Sequence, residues 1–157
     1  MQLNIDNRFT KTLPADPVLD NTRRQVKNAC FSYVTPKKPR KPEMLHVSPE
    51  MLFALGLSEE DATSEAFLNI FTGNSILPNT TPYAMCYGGH QFGHWAGQLG
   101  DGRAINLAEV EHQHKHWTLQ LKGAGETPYS RTADGLAVLR SSVRAYLCSG
   151  AMYHLGV

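Results

Sequence analysis

The sequence predicts an α+β fold, in which a mostly helical N-terminal extension precedes a glycine-rich hairpin, two strands and a final helix. Between residues 48 and 73, apolar residues recur at helical spacing behind residues that can cap helices. From residue 103 onwards, two segments instead alternate apolar and polar residues, as half-buried strands do. The composition changes at Pro82, after which glycine and aromatic residues become frequent. The chain is therefore divided into an extension (1–82) and a second part (83–157).

Length and composition favour one ordinary domain. The chain has 157 residues, of which 41% are hydrophobic, and this is enough for a core. A net charge of +1 argues against the basic field of general nucleic-acid-binding proteins, so no nucleic-acid partner is expected. No apolar run approaches the roughly 20 residues that span a bilayer, and the N-terminus lacks the apolar stretch of a secretory signal. The three cysteines are far apart, which favours a reducing compartment. We expect a cytoplasmic protein without a membrane partner.

The extension begins with a mixed segment that Pro14 and Pro17 interrupt. Residues 35–42 then read Thr-Pro-Lys-Lys-Pro-Arg-Lys-Pro, and this combination of prolines and cations predicts an extended, solvated connector. A docking patch for an anionic partner is the less favoured alternative, because cations beside prolines are common in surface loops.

Two helices are predicted after this connector. Ser48 can cap the first helix, Pro49 suits its first turn and Gly56 suits its end. Ser58 can cap the second helix, whose N-terminal acidic residues suit the positive end of the helix dipole, and Gly73 can close it. The apolar stripes of both helices predict a packing role and no chemistry.

The second part begins with a glycine-rich segment, 83–102, in which aromatic residues are interleaved. Two alternating segments then predict strands at 103–110 and 117–122, with a polar turn between them. After a loop that contains several glycines, 136–155 shows helical spacing, and Asp134 can cap this helix. The order of hairpin, strand, strand ending in lysine, loop and helix is that of the opening of a protein-kinase-like small lobe, here incomplete.

The first candidate for binding chemistry is the run Gly100-Asp-Gly102-Arg103. Glycines let backbone amides approach a phosphate closely, and an arginine can hold two phosphate oxygens at once. A hairpin turn explains the Gly-Asp-Gly part equally well, so the motif alone leaves both interpretations open.

Lys122 is the second candidate, because it ends an apolar strand and precedes Gly-Ala-Gly. A lysine that faces a cleft needs a counter-charge, which a bound triphosphate would supply. The alternation favours the other interpretation, in which Leu119 and Leu121 face inward and Lys122 faces solvent. Thr118 and Gln120 share the face of the lysine, however, and would suit a polar cleft.

Other chemistries have less support. His90 and His94, or His112, His114 and His116, have spacings that metal ligands can have, but no cysteine or carboxylate completes a tetrahedral set, so no metal site is predicted. The serines lack a Gly-x-Ser-x-Gly elbow. The glycine run leads into a strand, whereas a dinucleotide-binding fingerprint would lead into a helix.

Three stretches of the chain, 83–104, 119–131 and 134–144, resemble signature segments of the selenoprotein O (SelO) family. The resemblance extends from about residue 9 to the end of the chain. It implies a kinase-like fold that binds ATP in a reversed orientation. It also implies that AMP is transferred, with magnesium, to hydroxyl groups of protein substrates.

Carried onto this sequence residue by residue, the resemblance implies a set of nucleotide contacts in which Lys122 is the phosphate-binding lysine. The implied contacts are Gly100, Gly102, Arg103, Lys122, Asp134 and Gly135. The resemblance also implies that the catalytic base and the magnesium ligands of the family follow residue 157. No catalytic and no metal-binding residue is therefore expected within this chain.

Three positions depart from the family pattern. Ala145 stands where the family has a glutamate, Leu136 where it has an arginine, and Gly150 where it has an acidic residue. In a kinase-like lobe, the glutamate is the helix residue that holds the lysine in place, so Lys122 is expected to lack its orienting ion pair.

The resemblance therefore implies the ATP-binding N-terminal fragment of a SelO-type protein adenylyltransferase, which would use ATP and magnesium and act on serine, threonine or tyrosine hydroxyls of proteins. The fragment is expected to be inactive alone. The alternative is a degenerate, non-enzymatic module that binds a protein partner, or binds a nucleotide weakly.

Overall fold

A five-stranded antiparallel sheet is the centre of the molecule, and the α+β class predicted from the sequence is confirmed. The computed structural model describes every residue from Met1 to Val157. The helices are α1 (Arg8–Thr12), α2 (Pro49–Ala54), α3 (Glu59–Thr63), α4 (Glu65–Phe71) and α5 (Leu139–His154). The strands are β1 (Phe31–Tyr33), β2 (Tyr83–Gln91), β3 (His94–Gly100), β4 (Ala104–His112) and β5 (Lys115–Lys122).

Strand β2 belongs to two parts of the sheet. Its first residues pair with β1 and touch β4 at Tyr83 and Asn106, whereas its later residues, from Cys86 onwards, pair with β3. The glycine-rich segment is therefore a β-hairpin, as predicted from the sequence. The far end of this hairpin is exposed, and Phe92 at its turn is 98% accessible.

Strands β4 and β5 form a tight hairpin. His112 pairs with Lys115, and the two residues between them, Gln113 and His114, both have positive φ angles. Two consecutive positive φ angles are the requirement of a two-residue type I′ turn. The turn is thus shorter than the one predicted between residues 110 and 117, because β4 continues to His112 and β5 begins at Lys115.

Serine side chains cap α2, α3 and α4 at their N-termini. The Ser48 side chain accepts from Met51 N–H at the start of α2, and Ser58 forms a reciprocal capping box with Asp61 at the start of α3. The second helix predicted from the sequence is in fact two, because Ser64 is extended (ψ 147°) and its side chain caps α4 at Phe67. The N-terminal extension contains only short helices and strand β1, so the expectation that it is mostly helical was too strong.

The core lies around β4, in which every residue from Ile105 to Val110 is buried. Leu107 and Val110 pack with Ile70 of α4 and with Leu77. Strand β4 continues past its contact with Tyr83 at Asn106, and the first residues of the chain pair with this later part of β4. Asp6 N–H donates to Glu109 O (2.9 Å), and Glu111 N–H donates to Asn4 O (2.9 Å). The start of the chain thus completes the hydrogen bonding of its central strand.

Helix α5 starts later than predicted, at Leu139, and the prediction that Asp134 caps it was wrong. The N-cap is Val138, which offers no side-chain hydrogen bond, and Asp134 Oδ1 instead accepts from Leu136 N–H (2.9 Å). The physical reason is that the segment before the helix is extended and pairs with the loop after β5, through the Ala124–Leu136 bridge. No residue of α5 is buried.

The division of the chain at residue 82 stays a prediction, since β1 from the extension and β2 from the second part lie in one sheet. None of the helices combines the length and the apolar character needed to span a membrane.

Candidate functional site

A cleft of about 380 Å³ lies between the β2–β3 hairpin, the turn at Gly100–Arg103 and the loop that follows β5. Its walls combine glycines, two arginines and the Tyr129 ring. Its lining includes Gln91, Gly100, Gly102, Arg103, Tyr129, Arg131 and Gly135.

Four of the six nucleotide contacts expected from the sequence line this one cleft, namely Gly100, Gly102, Arg103 and Gly135. They come from two segments more than thirty positions apart in the sequence, so the fold brings them together. Lys122 and Asp134 are not part of the lining.

Lys122 lies beside the cleft at the end of β5. It pairs with Ala104, and the next residue, Gly123, donates its N–H to Arg103 O (2.7 Å). Its side chain is exposed while Leu119 is buried, as the strand alternation had favoured. The backbones of Lys122 and Arg103 are thus held together, although Lys122 is not part of the cleft lining.

The turn glycines permit close packing. A Cβ atom at Gly100 would overlap Cγ of Tyr129, and at Gly102 it would lie 3.1 Å from the Tyr129 carbonyl oxygen. Gly135 is more constrained still: its φ is +74°, and a Cβ atom there would overlap backbone atoms of Gly125. These glycines therefore have a structural role, whatever the cleft binds.

Asp101, between the two turn glycines, holds the turn in shape. Its Oδ2 atom accepts from Met85 N–H (2.9 Å) and from the Asn106 side-chain amide (3.2 Å). Its backbone carbonyl accepts from the Thr127 hydroxyl (2.8 Å). This carboxylate is buried, turned into the protein, and is not part of the cleft lining.

A buried polar network supports the cleft from below. The Tyr129 hydroxyl and the Ser32 hydroxyl are 2.9 Å apart, and Ser32 donates to Asp16 Oδ2 at 2.7 Å. Arg24 pairs with the same carboxylate. Burial raises the pKa of Tyr129 to about 12, so its phenol is neutral at physiological pH. Burial also opposes ionisation of Asp16, but hydrogen bonds from Ser32 and Val18 N–H, together with Arg24, hold the pKa of this carboxyl below its usual value.

The charge of the cleft is positive. Arg103 and Arg131 line it, and neither forms an ion pair with a carboxylate. Glu126, in the same loop as Arg131, is already paired with Arg23 and Lys37 outside the lining. Uncompensated guanidinium groups beside glycine backbone suit an anionic ligand that accepts several hydrogen bonds, such as a phosphate chain.

Arg131, Tyr129 and Asp101 were not identified as site residues from the sequence. Arg131 lies within the stretch 119–131 that resembles the SelO family, but nothing in the local pattern indicates that it reaches the hairpin. For Asp101, the Gly-Asp-Gly run did indicate a turn, but the local pattern does not show that the carboxylate holds this turn through Met85 and Asn106.

No group of three or more His, Cys, Asp or Glu side chains is placed to hold a metal ion. The cleft residues fit the phosphate groups of a nucleotide, through glycine backbone and guanidinium groups. They offer no carboxylate set for the magnesium ion that the resemblance implies.

Over residues 19–157, the chain matches the family profile described as "Protein adenylyltransferase SelO". The chain belongs to the SelO family. It is 68% identical over 155 residues to a protein named "Protein nucleotidyltransferase YdiU" from Flavobacterium johnsoniae, with 99% of this chain and 30% of that relative covered. Proteins with the same name from Methylobacillus flagellatus and Rhodopirellula baltica are 60% and 58% identical, with 99% of this chain covered in both cases and 30% and 29% of the relatives.

The chain therefore spans about 30% of the length of these SelO-family relatives. The family is that of nucleotidyltransferases, and the resemblance predicted from the three stretches is confirmed. The departures from the family pattern predicted at Leu136, Ala145 and Gly150 stay predictions. The three positions lie away from the core: Leu136 and Ala145 are exposed, and a Cβ atom at Gly150 would meet nothing within 4 Å.

Proposed function

We propose that this chain is the phosphate-binding part of a SelO-type adenylyltransferase, which transfers AMP from ATP to serine, threonine or tyrosine hydroxyls of proteins in the cytoplasm. In this reaction, the hydroxyl oxygen bonds to the α-phosphorus, the bond from that phosphorus to the bridging oxygen breaks, and pyrophosphate leaves. We further propose that the β2–β3 hairpin, β4, β5 and α5 correspond to the first elements of a kinase-like small lobe.

The observation that carries this proposal is the convergence of Gly100, Gly102, Arg103 and Gly135 on one cleft without a compensating acidic side chain. In this scheme, Arg103 holds phosphate oxygens, and the glycine backbone leaves room for the phosphate chain. Lys122 reaches the phosphates from the rim, and Asp134 supports the Gly135 turn that forms one wall. Magnesium, when bound with ATP, would neutralise phosphate charge.

On this proposal the chain binds ATP but does not transfer AMP, because neither a general base nor a set of magnesium ligands is found around the cleft. Detection of AMP transfer by this chain, above the level of a Lys122→Ala variant, would contradict the proposed inactivity.

Calorimetric titration with ATP and magnesium tests the binding step. We expect Arg103→Ala and Lys122→Ala to weaken binding, since each removes a cation at or beside the cleft. Lys38→Ala is a matched control, because Lys38 is exposed, has no ion pair and is not part of the cleft lining. If folded wild-type protein binds no ATP, the proposal fails.

A second candidate function, a non-enzymatic module that binds a protein partner, is favoured by α5. This helix exposes Leu139, Val143 and Leu147 along its length, and no residue of it is buried. Exposed apolar faces of this kind are typical of interaction surfaces. A monodisperse monomer with a cooperative thermal transition, and with ATP binding that depends on Arg103, would argue against this alternative.

A further inference from the structure

A side-chain hydrogen bond joins the β2–β3 hairpin to the loop after β5 across the cleft. The Arg131 guanidinium, in the loop after β5, donates from Nη2 to Oε1 of Gln91 at 2.7 Å. Gln91 is the last residue of β2, next to the turn of the hairpin, and both side chains line the cleft. The two residues are 40 positions apart, so the contact is a tertiary one that closes the hairpin toward the loop.

The hydrogen-bond partner of Arg131 is a neutral amide. Arg8, Arg23 and Arg24 each pair with a carboxylate. Arg131 instead has one hydrogen bond to an amide oxygen, although a guanidinium has five N–H donors. Its charge is uncompensated in a cleft that Arg103 also lines.

The far end of the hairpin that carries Gln91 pairs with no other strand of the sheet. From Tyr87 onwards β2 pairs only with β3, and the pairing is irregular between Gly88 and His90. Gly93 and Gly97 have positive φ angles with open space around them. A shift of the hairpin would therefore break the Arg131–Gln91 bond without disturbing the buried core around β4.

We propose that Arg131 is a phosphate-binding residue of this cleft and that Gln91 is its partner when no phosphate is bound. An incoming phosphate chain takes the guanidinium from Gln91, because an anionic oxygen is a stronger acceptor than a neutral amide. Arg131 and Arg103 then hold the phosphate chain from two sides, and the hairpin is released from the loop. The inference deepens the proposed function and rests on it for the identity of the ligand.

The first test compares Arg131→Gln with Arg140→Gln by calorimetry, with ATP, inorganic tripolyphosphate and adenosine as separate probes. Arg140 is the matched control, since it is exposed on α5, has no ion pair and is not in the cleft lining. We expect Arg131→Gln to weaken ATP and tripolyphosphate binding about tenfold, as loss of a charged hydrogen bond does. Adenosine binding should not change in either variant. Equal affinities of the two variants for tripolyphosphate would overturn the proposal.

The second test uses Gln91→Glu, which keeps the shape of the side chain and adds a carboxylate. The introduced carboxylate would compete with phosphate for the guanidinium, so ATP binding should weaken about tenfold. In an Arg131→Gln background the same change should have a much smaller effect, because the competition is gone. An equal loss in both backgrounds would mean general repulsion and would overturn the role of Gln91.

These experiments distinguish a failure of the proposed role of Arg131 from a failure of the proposed ATP-binding function. If Arg103→Ala weakens ATP binding and Arg131→Gln does not, the further inference is wrong and the proposed function survives. If wild-type protein binds neither ATP nor tripolyphosphate, both are wrong.

Discussion

Strand β4 and helix α5 both carry apolar residues in a regular pattern, yet they differ completely in burial. Every residue of β4 from Ile105 to Val110 is buried, including the polar Asn106 and the acidic Glu109. In the 16 residues of α5, none is buried. The difference comes from partners: β4 pairs with β5 and with the start of the chain and packs against Ile70 of α4, whereas Tyr146 of α5 contacts His46 at the surface. A periodic pattern of apolar residues predicts a helix or a strand. Whether that helix or strand is buried depends on contacts with segments distant in the sequence.

The largest expected effect is a contrast between two leucine truncations. Leu107→Ala should lower the free energy of unfolding by about 2–5 kcal/mol, because Leu107 is 2% accessible and its removal leaves a cavity. Leu147→Ala, at a residue that is 64% accessible, should change it by less than about 0.5 kcal/mol. Urea denaturation of both variants measures the difference. A large loss for Leu147→Ala would show that α5 is packed in solution.

Two glycines give the next contrast. Gly135→Ala should destabilise the protein by about 2 kcal/mol or more, since alanine is strained at this positive φ and its Cβ would overlap the backbone of Gly125. Gly150→Ala, in open space within α5, should instead stabilise the helix by up to about 1 kcal/mol. Thermal denaturation and far-ultraviolet circular dichroism test the pair. Equal melting temperatures for the two variants would contradict the close contact at Gly135.

A pH titration tests the polar network under the cleft. The pKa of Asp16 is lower in the folded protein than in the unfolded chain, so its ionised form stabilises the fold. This contribution is complete above about pH 4 and is lost as the pH falls through the lower pKa of the folded state. Asp16→Asn should cost about 1–3 kcal/mol at pH 7 and should reduce the loss of stability in acid. Parallel pH curves for the variant and the wild type would exclude this role for Asp16.

The smallest expected effects concern helix caps. Ser58→Ala removes a capping box from α3 and should cost about 1 kcal/mol. Val138→Ser places a capping hydroxyl where α5 has none, and its extended backbone suits this role, so we expect a gain of about 0.5 kcal/mol. Hydrogen exchange of the first amides of α5 is the appropriate measurement, because this helix can open without global unfolding. Unchanged exchange at Ser141 and Ser142 would contradict the second expectation.

The features that local chemistry determines were predictable from the sequence. Serine caps at Ser48 and Ser58, the β4–β5 hairpin and the exposed side of Lys122 follow from neighbours a few positions away. The late start of α5 was not predictable, because it depends on pairing between Ala124 and Leu136 in the folded loop.

In the candidate site, too, some residues were predictable from the sequence and others were not. Gly100, Gly102, Arg103 and Gly135 were indicated by family resemblance, and the fold brings them to one cleft. The contact of Arg131 with Gln91 spans 40 positions, so no sequence window contains both partners. The same holds for Tyr129 and Ser32, which are 97 positions apart.

The pairing of the first residues with β4 also has a consequence for synthesis. Phe9 N–H donates to the Glu109 carboxylate across 100 positions, and Asp6 N–H donates to the backbone of the same residue. At about 5–20 residues per second, the ribosome needs roughly 5–20 seconds to make the intervening chain. The N-terminal arm therefore leaves the ribosome well before its partner strand β4, and its backbone stays unpaired until that strand has also emerged.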